Sequence, residues 1–206
     1  KHRRSSHSGP APSDQMAGHP AVPTGVTVSL ETLGCKLNLA DSELLAQEFT
    51  AAGYQVVAPG SGARVHIVNT CTVTHVADAK ARQLLRAVRR RDPGALVVAT
   101  GCYPERAPGE LDALAEVDLV AGNSRKPQLV QLGSDKLAER ARTGQRLEDG
   151  LVRTVPATSV VRSFVKIQEG CNDYCAYCII PKTRGASRSF GPESIISAIT
   201  SRQRQG

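Results

Sequence analysis

Tryptophan is absent from the 206-residue chain, aromatic residues make up only 3% of it, and its single methionine is Met16. A core without large rings must pack from Val, Leu, Ala and Ile, which suits layered α/β structure better than an aromatic-rich sandwich. No apolar run approaches the roughly 20 residues of a membrane-spanning helix, and the opening KHRRSSHSGPAPSDQ lacks the apolar centre of a secretory signal. These absences point to a cytoplasmic chain with no membrane partner. With 40% hydrophobic and 22% charged residues, the composition is that of a globular chain with one solid core and part of a second. A net charge of +7 favours a polyanionic partner such as RNA or DNA. Six cysteines in a reducing compartment do not read as a disulfide framework, so metal or redox chemistry leads.

Residues 1–25 are rich in Pro, Ser, Gly and His without apolar periodicity and read as a disordered tail. From Val26 the chain alternates: VTVSLETLGC, ARVHIVNTC, ALVVATGC and EVDLVAGN read as strands separated by helical stretches. One helix is expected near Asp41–Ala52, capped by Asp41 or Ser42, and a second near Ala77–Arg91. The second carries Ala81, Leu84, Leu85 and Val88 on one stripe and Arg82, Arg86, Arg89 and Arg90 on another. A third around Pro127–Ala138 closes the unit. Strand and helix alternation with right-handed crossovers makes an open parallel sheet over residues 26–138. Residues 139–162 read as a linker, and a second unit starts at 163 with the strand SFVKIQEG, later followed by the helical GPESIISAITSRQ.

Cys35, Cys71 and Cys102 each lie just past an apolar strand, about one βαβ repeat apart. A parallel sheet gathers the carboxyl ends of its strands along one edge, where α/β folds bind their ligands. Three distant cysteines therefore converge. Either each is a small buried residue at a strand end, or together they surround a metal or cluster. Gly34 and Gly101, directly before two of them, suit a close approach of backbone to something bulky.

The second group is the loop GCNDYCAYCIIPKTRG at 170–185, with Cys171, Cys175 and Cys178 inside eight residues. Structural zinc takes four ligands, usually from paired C-x2-C knuckles, and only one such pair exists here; His75 or His66 would have to complete the set. Three thiolates instead suit three corners of a 4Fe-4S cube whose fourth iron stays open to a small molecule.

That loop resembles the radical S-adenosylmethionine superfamily, whose C-x3-C-x-aromatic-C pattern is matched by Cys171, Cys175, Tyr177 and Cys178. TLGCKLNLADSE, VNTCTVTHVADAKARQ, ATGCYPE and VKIQEGCNDYCAYCIIPKTRGASRS together resemble the methylthiotransferases of that superfamily, from about Val26 to Ile196. The resemblance implies two 4Fe-4S clusters. One, on Cys35, Cys71 and Cys102, would carry or deliver sulfur; the other, on Cys171, Cys175 and Cys178 with Tyr177 beside it, would bind S-adenosyl-L-methionine and generate the 5′-deoxyadenosyl radical. It implies a tRNA partner and an electron donor such as flavodoxin or ferredoxin. CTVT followed by ADAKARQ resembles the branch that methylthiolates N6-threonylcarbamoyladenosine beside the anticodon. The alternatives are the isopentenyladenosine branch and, through NLADSE, the branch that modifies an aspartate of a ribosomal protein. A non-catalytic, metal-stabilised RNA-binding module stands as a reading from another class. In it the Arg stripe, Lys80 and Arg91 steer phosphates, with a solvated helix face as the plainer explanation. Lys182, Arg184 and Arg188 are candidates to face a cofactor carboxylate or RNA.

The resemblance implies a TIM-like β/α barrel after residue 163. A full barrel takes roughly 250 residues, so residues 163–206 hold its first β/α unit only. The expectation is an open parallel-sheet amino-terminal domain followed by the first unit of an incomplete barrel, inactive on tRNA by itself.

Overall fold

The computed structural model describes residues 25–144 and 164–204, so all but the last residue of the tail read over 1–25 and most of the linker read over 139–162 lie outside the described residues. Five strands form one parallel sheet: β1 (Thr27–Thr32), β2 (Gln55–Val57), β3 (Val65–Thr70), β4 (Leu96–Gly101) and β5 (Leu119–Gly122), in the order β2-β1-β3-β4-β5. All four pairings are parallel, with Leu30 opposite Ile67 and Ile67 opposite Val98. The chain steps outward from β1 to β2, then returns to lay β3 on the other side of β1. That reversal makes the carboxyl ends of β1 and β3 the switch point of a doubly wound sheet.

β3 and β4 are buried along their whole length, as central parallel strands covered on both faces must be. Their alternation splits the core in two. Val65, Ile67, Leu96 and Val98 face Leu45 and Phe49 of α1 (Lys36–Ala51) and Leu129, Val130 and Leu137 of α5 (Leu129–Arg142). Val68, Val97 and Ala99 face Ala81, Leu85 and Val88 of α2 (His75–Arg91), together with Tyr103 of α3 (Cys102–Arg106) and Leu111 of α4 (Pro108–Asp112). Burying one such Leu or Val side chain stabilises the fold by about 1.5–3 kcal/mol. Phe49 meets Tyr54 edge to face with ring centroids 5.0 Å apart.

Several boundaries differ from the sequence expectation. Helix α1 begins at Lys36, with Cys35 in the N-cap position, and not at Asp41; Asp41 and Ser42 are buried inside it. The cap-type residues there serve long-range partners instead of the helix start. Leu44 is exposed, and Leu45 and Phe49 carry the contact with the sheet. Helix α2 starts two residues early, where Thr74 Oγ1 accepts from Ala77 N at 3.1 Å. A 3-10 segment, Asn123–Gln128, precedes α5 and holds Pro127 inside it, and α5 continues through Arg142 into the stretch read as linker. The short β2 was not anticipated, and the helical stretch expected between ALVVATGC and EVDLVAGN consists of two short helices, α3 and α4.

The second unit also differs. Residues 164–167 are not strand; only β6 (Gln168–Glu169) pairs, antiparallel, with β7 (Arg188–Ser189). Among the described residues these two strands form the only sheet outside the five-stranded one. They close a hairpin around the three-cysteine loop and the short α6 (Ile180–Arg184), and α7 (Pro192–Arg204) follows. Gly170, at φ +76°, leaves β6 where a Cβ would strike the carbonyls of Gly185 and Ala186, so glycine is required there.

Candidate functional site

Strand order determines the first cysteine group. β1, β3 and β4 are adjacent, and Cys71 and Cys102 follow directly on β3 and β4, with Cys35 three residues past the end of β1. Neighbouring strands lie about 4.8 Å apart, so the three thiols come from adjacent positions on one edge of the sheet. Cys35 is exposed, and Cys71 and Cys102 are buried. Burial pushes the Cys71 thiol up, the amides of Val73 and Thr72 pull it back, and the nearby Cys102 and Cys35 raise it again. Gly34, at φ +109°, passes so close that a Cβ would sit 2.5 Å from Cys71 Cβ and 2.9 Å from its sulfur. Asn38 Nδ2 ties the switch point together, donating to Leu33 O at 2.8 Å and to Thr70 O at 3.0 Å. Asn69 Nδ2 returns the bond to Asn38 O at 2.9 Å.

The second group lies in the hairpin loop. Cys171 N donates to Gly185 O at 3.2 Å, Cys178 N to Cys175 O at 2.9 Å, and Ser187 N to Asn172 Oδ1 at 2.8 Å. Cys175 is exposed, while Cys171 and Cys178 are half-buried. Tyr177, the aromatic of the motif, is 92% exposed, and Tyr174 holds a positive φ of 47°. A non-glycine residue in that region marks a strained turn.

A buried ionic seam joins the two groups. Asp41 Oδ2 accepts from Lys126 Nζ at 2.7 Å and from Arg184 Nη2 at 3.1 Å, and its Oδ1 accepts from Lys166 Nζ at 2.6 Å. Arg184 also donates to Asn38 Oδ1 at 2.5 Å and to Glu169 Oε1 at 2.8 Å. The Asp41 and Arg184 side chains are 2% and 0% exposed. Burial alone would raise the Asp41 pKa, but Lys126, Lys166 and Arg184 overcome it and hold the carboxyl at about 2. Burial pulls the Lys126 ammonium below its ordinary range, with Asp41 opposing. Beside the seam, burial pushes Glu48 up to about 7, against Lys166 and with help from Asp41. Asn123 makes the most direct link, donating from one amide nitrogen to Cys102 Sγ at 3.4 Å and to Thr183 O at 2.7 Å. Arg202 of α7 pairs with Glu43 of α1.

Asn38, Asp41, Asn123, Lys126, Lys166 and Glu169 were not singled out as site residues from sequence. The available signal was NLADSE, a helix segment carrying two acids and an Asn where helix-forming residues are the norm. Arg184 faces Asp41 and Glu169, and Arg188 reaches Glu169 at 3.3 Å from the surface; Lys182 is exposed. The Arg stripe is largely spent within the chain: Arg89 binds Asp118 and the Glu116, Pro93 and Ala95 carbonyls, Arg86 pairs with Glu116, Arg82 donates to Tyr103, and Arg91 pairs with Glu31. Lys80 and Arg90 remain exposed.

Neither histidine offered as a zinc ligand joins a cysteine group. His66 is buried at the other end of β3, with Nδ1 2.7 Å from Ser29 Oγ and Nε2 2.9 Å from Asp92. Among the described residues no three His, Cys, Asp or Glu side chains gather as a single ion requires. A cluster is wider than an ion, and two all-thiol donor sets fit iron–sulfur chemistry and not the oxygen-preferring cations.

Residues 27–122 match the family described as Uncharacterized protein family UPF0004. The threonylcarbamoyladenosine tRNA methylthiotransferase of Aquifex aeolicus is 43% identical over 178 residues, which cover 84% of this chain and 43% of that protein. The chain is homologous to the methylthiotransferases. The Bacillus subtilis protein of the same name is 38% identical over 182 residues, covering 82% of this chain and 39% of its own length. The ribosomal protein uS12 methylthiotransferase of Pelotomaculum thermopropionicum is 34% identical over 183 residues, covering 84% and 41%. The chain thus spans about two fifths of the length of the methylthiotransferases it matches. Among the described residues no helix is long and apolar enough to cross a membrane.

Proposed function

We propose that this chain is part of a tRNA-modifying methylthiotransferase, with Cys35, Cys71 and Cys102 holding one 4Fe-4S cluster and Cys171, Cys175 and Cys178 a second. The substrate we assign is N6-threonylcarbamoyladenosine, which becomes its 2-methylthio derivative. The observation that carries the reading is the convergence of the two thiol groups: one lines the carboxyl edge of β1, β3 and β4, and the other sits in a hairpin tied to that edge through Asn123 and Asp41. The higher identity to two proteins named for threonylcarbamoyladenosine than to the ribosomal-protein enzyme supports the branch.

One S-adenosyl-L-methionine would supply the methyl group for sulfur, and another, bound where Cys171, Cys175 and Cys178 hold the second cluster, would supply the radical for C–H cleavage. The chain's own residues do the positioning. Gly34 lets the backbone crowd Cys71, Gly101 lets it pass close to Thr70 just before that cysteine, the β6–β7 pair pins both ends of the second group, and Tyr177 stands exposed beside it. An electron donor such as flavodoxin or ferredoxin would reduce the second cluster, in the cytoplasm.

Anaerobic reconstitution with iron and sulfide tests the reading. The chain should take up about eight iron atoms, and about four after Cys171, Cys175 and Cys178 are all changed to Ala. Uptake of zinc with no iron would refute it. Tested with the loaded chain, threonylcarbamoylated tRNA should bind in preference to a uS12 peptide; the reverse preference would assign the ribosomal branch.

A further inference from the structure

The buried charge next to Cys102 does not balance. In the seam between α1, the 3-10 segment and the cysteine hairpin, two carboxylates, Asp41 and Glu169, meet two buried cations, Lys126 and Arg184, and the largely covered Lys166. Arg188 reaches Glu169 only from the rim, where it is 62% exposed. Glu48, pushed up to about 7, adds no more than a partial negative charge at neutral pH. A positive surplus therefore sits where water does not screen it, and interactions with other charges are correspondingly strong. Arg184 Nε is buried without a hydrogen-bond partner.

The surplus lies against Cys102. Asn123, one turn before Lys126 on the 3-10 segment, donates to the Cys102 sulfur, and the same amide nitrogen holds the carbonyl of Thr183, the neighbour of Arg184. The Asn123 carbonyl oxygen is itself buried and unpartnered. Two cations and their supporting amide thus flank one thiol of the sheet-edge group, while the seam's carboxylates are taken up by their own pairs.

We propose that Lys126, backed by Arg184, is a positioning residue for charge at Cys102: its ammonium compensates the negative charge that thiolate ligation brings to this edge and raises the reduction potential of the cluster held there. This rests on the proposal that Cys35, Cys71 and Cys102 hold a cluster. Reduction adds an electron, and a nearby unscreened cation stabilises the more negative state. Lys126→Met would leave two carboxylates facing two cations, so the seam stays paired and the chain should fold.

The experiment uses the full chain with Cys171, Cys175 and Cys178 changed to Ala, so that a single cluster is loaded, and reads its midpoint potential by redox titration with electron paramagnetic resonance. Lys126→Met should shift the potential to more negative values, Lys126→Arg should restore it, and Lys136→Met, on α5 where the lysine pairs with Glu139, should leave it unchanged. Glu169→Gln, which enlarges the surplus, should shift it the other way and provides the test if Lys126→Met fails to fold. Equal potentials in the Lys126 and Glu169 variants would overturn the inference. Failure of the unmodified chain to take up iron would instead overturn the cluster assignment beneath it.

Discussion

Replacing Asp41 by Ala is the most informative single perturbation of the fold, because one carboxylate is shared by Lys126, Lys166 and Arg184, and its side chain is 2% exposed. Removing one partner of a buried ion pair costs about 3–5 kcal/mol, since the cations left behind are desolvated and unpaired. A second route gives a similar size. The folded-state pKa of about 2, against 3.8 for the free side chain, means that the ionised carboxylate contributes about 2 kcal/mol. Glu169 and the Asn38 amide still hold Arg184 in the variant, so the lower end, about 3 kcal/mol, is expected. Because the pKa is depressed, the native state binds fewer protons than the unfolded chain between about pH 4 and pH 2. The contribution is therefore present above about pH 4 and disappears as pH falls through about 2. Urea unfolding at pH 7 measures the loss, and amide hydrogen exchange locates it. Protection should fall first across 168–189, while β3 and β4, whose burial does not involve the seam, should keep theirs. A loss under about 0.5 kcal/mol, or exchange that quickens equally in β3 and β4, would refute the idea that Asp41 docks the hairpin.

Two further tests use space and charge elsewhere. Gly101→Ala should cost about 3 kcal/mol, by strain at φ +105° and by driving a Cβ into the Thr70 backbone, 2.7 Å from its nitrogen. Gly133→Ala, in helix α5 with nothing within 4 Å, should gain about 0.5–1 kcal/mol. Thermal melts of the two variants moving in the same direction would contradict this. Glu48 has a raised pKa, about 7 against 4.5, so the native state binds more protons than the unfolded chain in that window, and stability falls as pH rises through it. Glu48→Gln should therefore stabilise the chain by about 2–3 kcal/mol at pH 8 and by little at pH 4.5. A gain of equal size at both values would count against the raised pKa.

How much was legible followed from the range of each signal. The apolar runs of β1, β3, β4 and β5 and the stripe of Ala81, Leu85 and Val88 are local periodicities, and the structure has these elements close to where the pattern places them. The three residues of β2 are too few to show a period. Asp41 and Ser42 carry the chemistry of helix caps, yet they lie in the second turn of α1 because their partners sit far away: Thr32 and Asn69 for Ser42, and Lys126, Lys166 and Arg184 for Asp41. FVKIQ alternates like a strand, but only Gln168–Glu169 finds a partner strand, in Arg188–Ser189. The Arg stripe of α2 looked available to a phosphate backbone until Asp118, Glu116 and Glu31 came to lie beside it.

By itself, the amino-acid order determined the βαβ rhythm and the placing of a cysteine just beyond each of three strands, since both depend on neighbours within a few residues. Only the tertiary structure decided that those three strands are adjacent and that a hairpin more than 60 residues further along is clamped to their edge. Strand order and buried ion pairs are settled by packing between segments remote in the chain, and no local pattern encodes them.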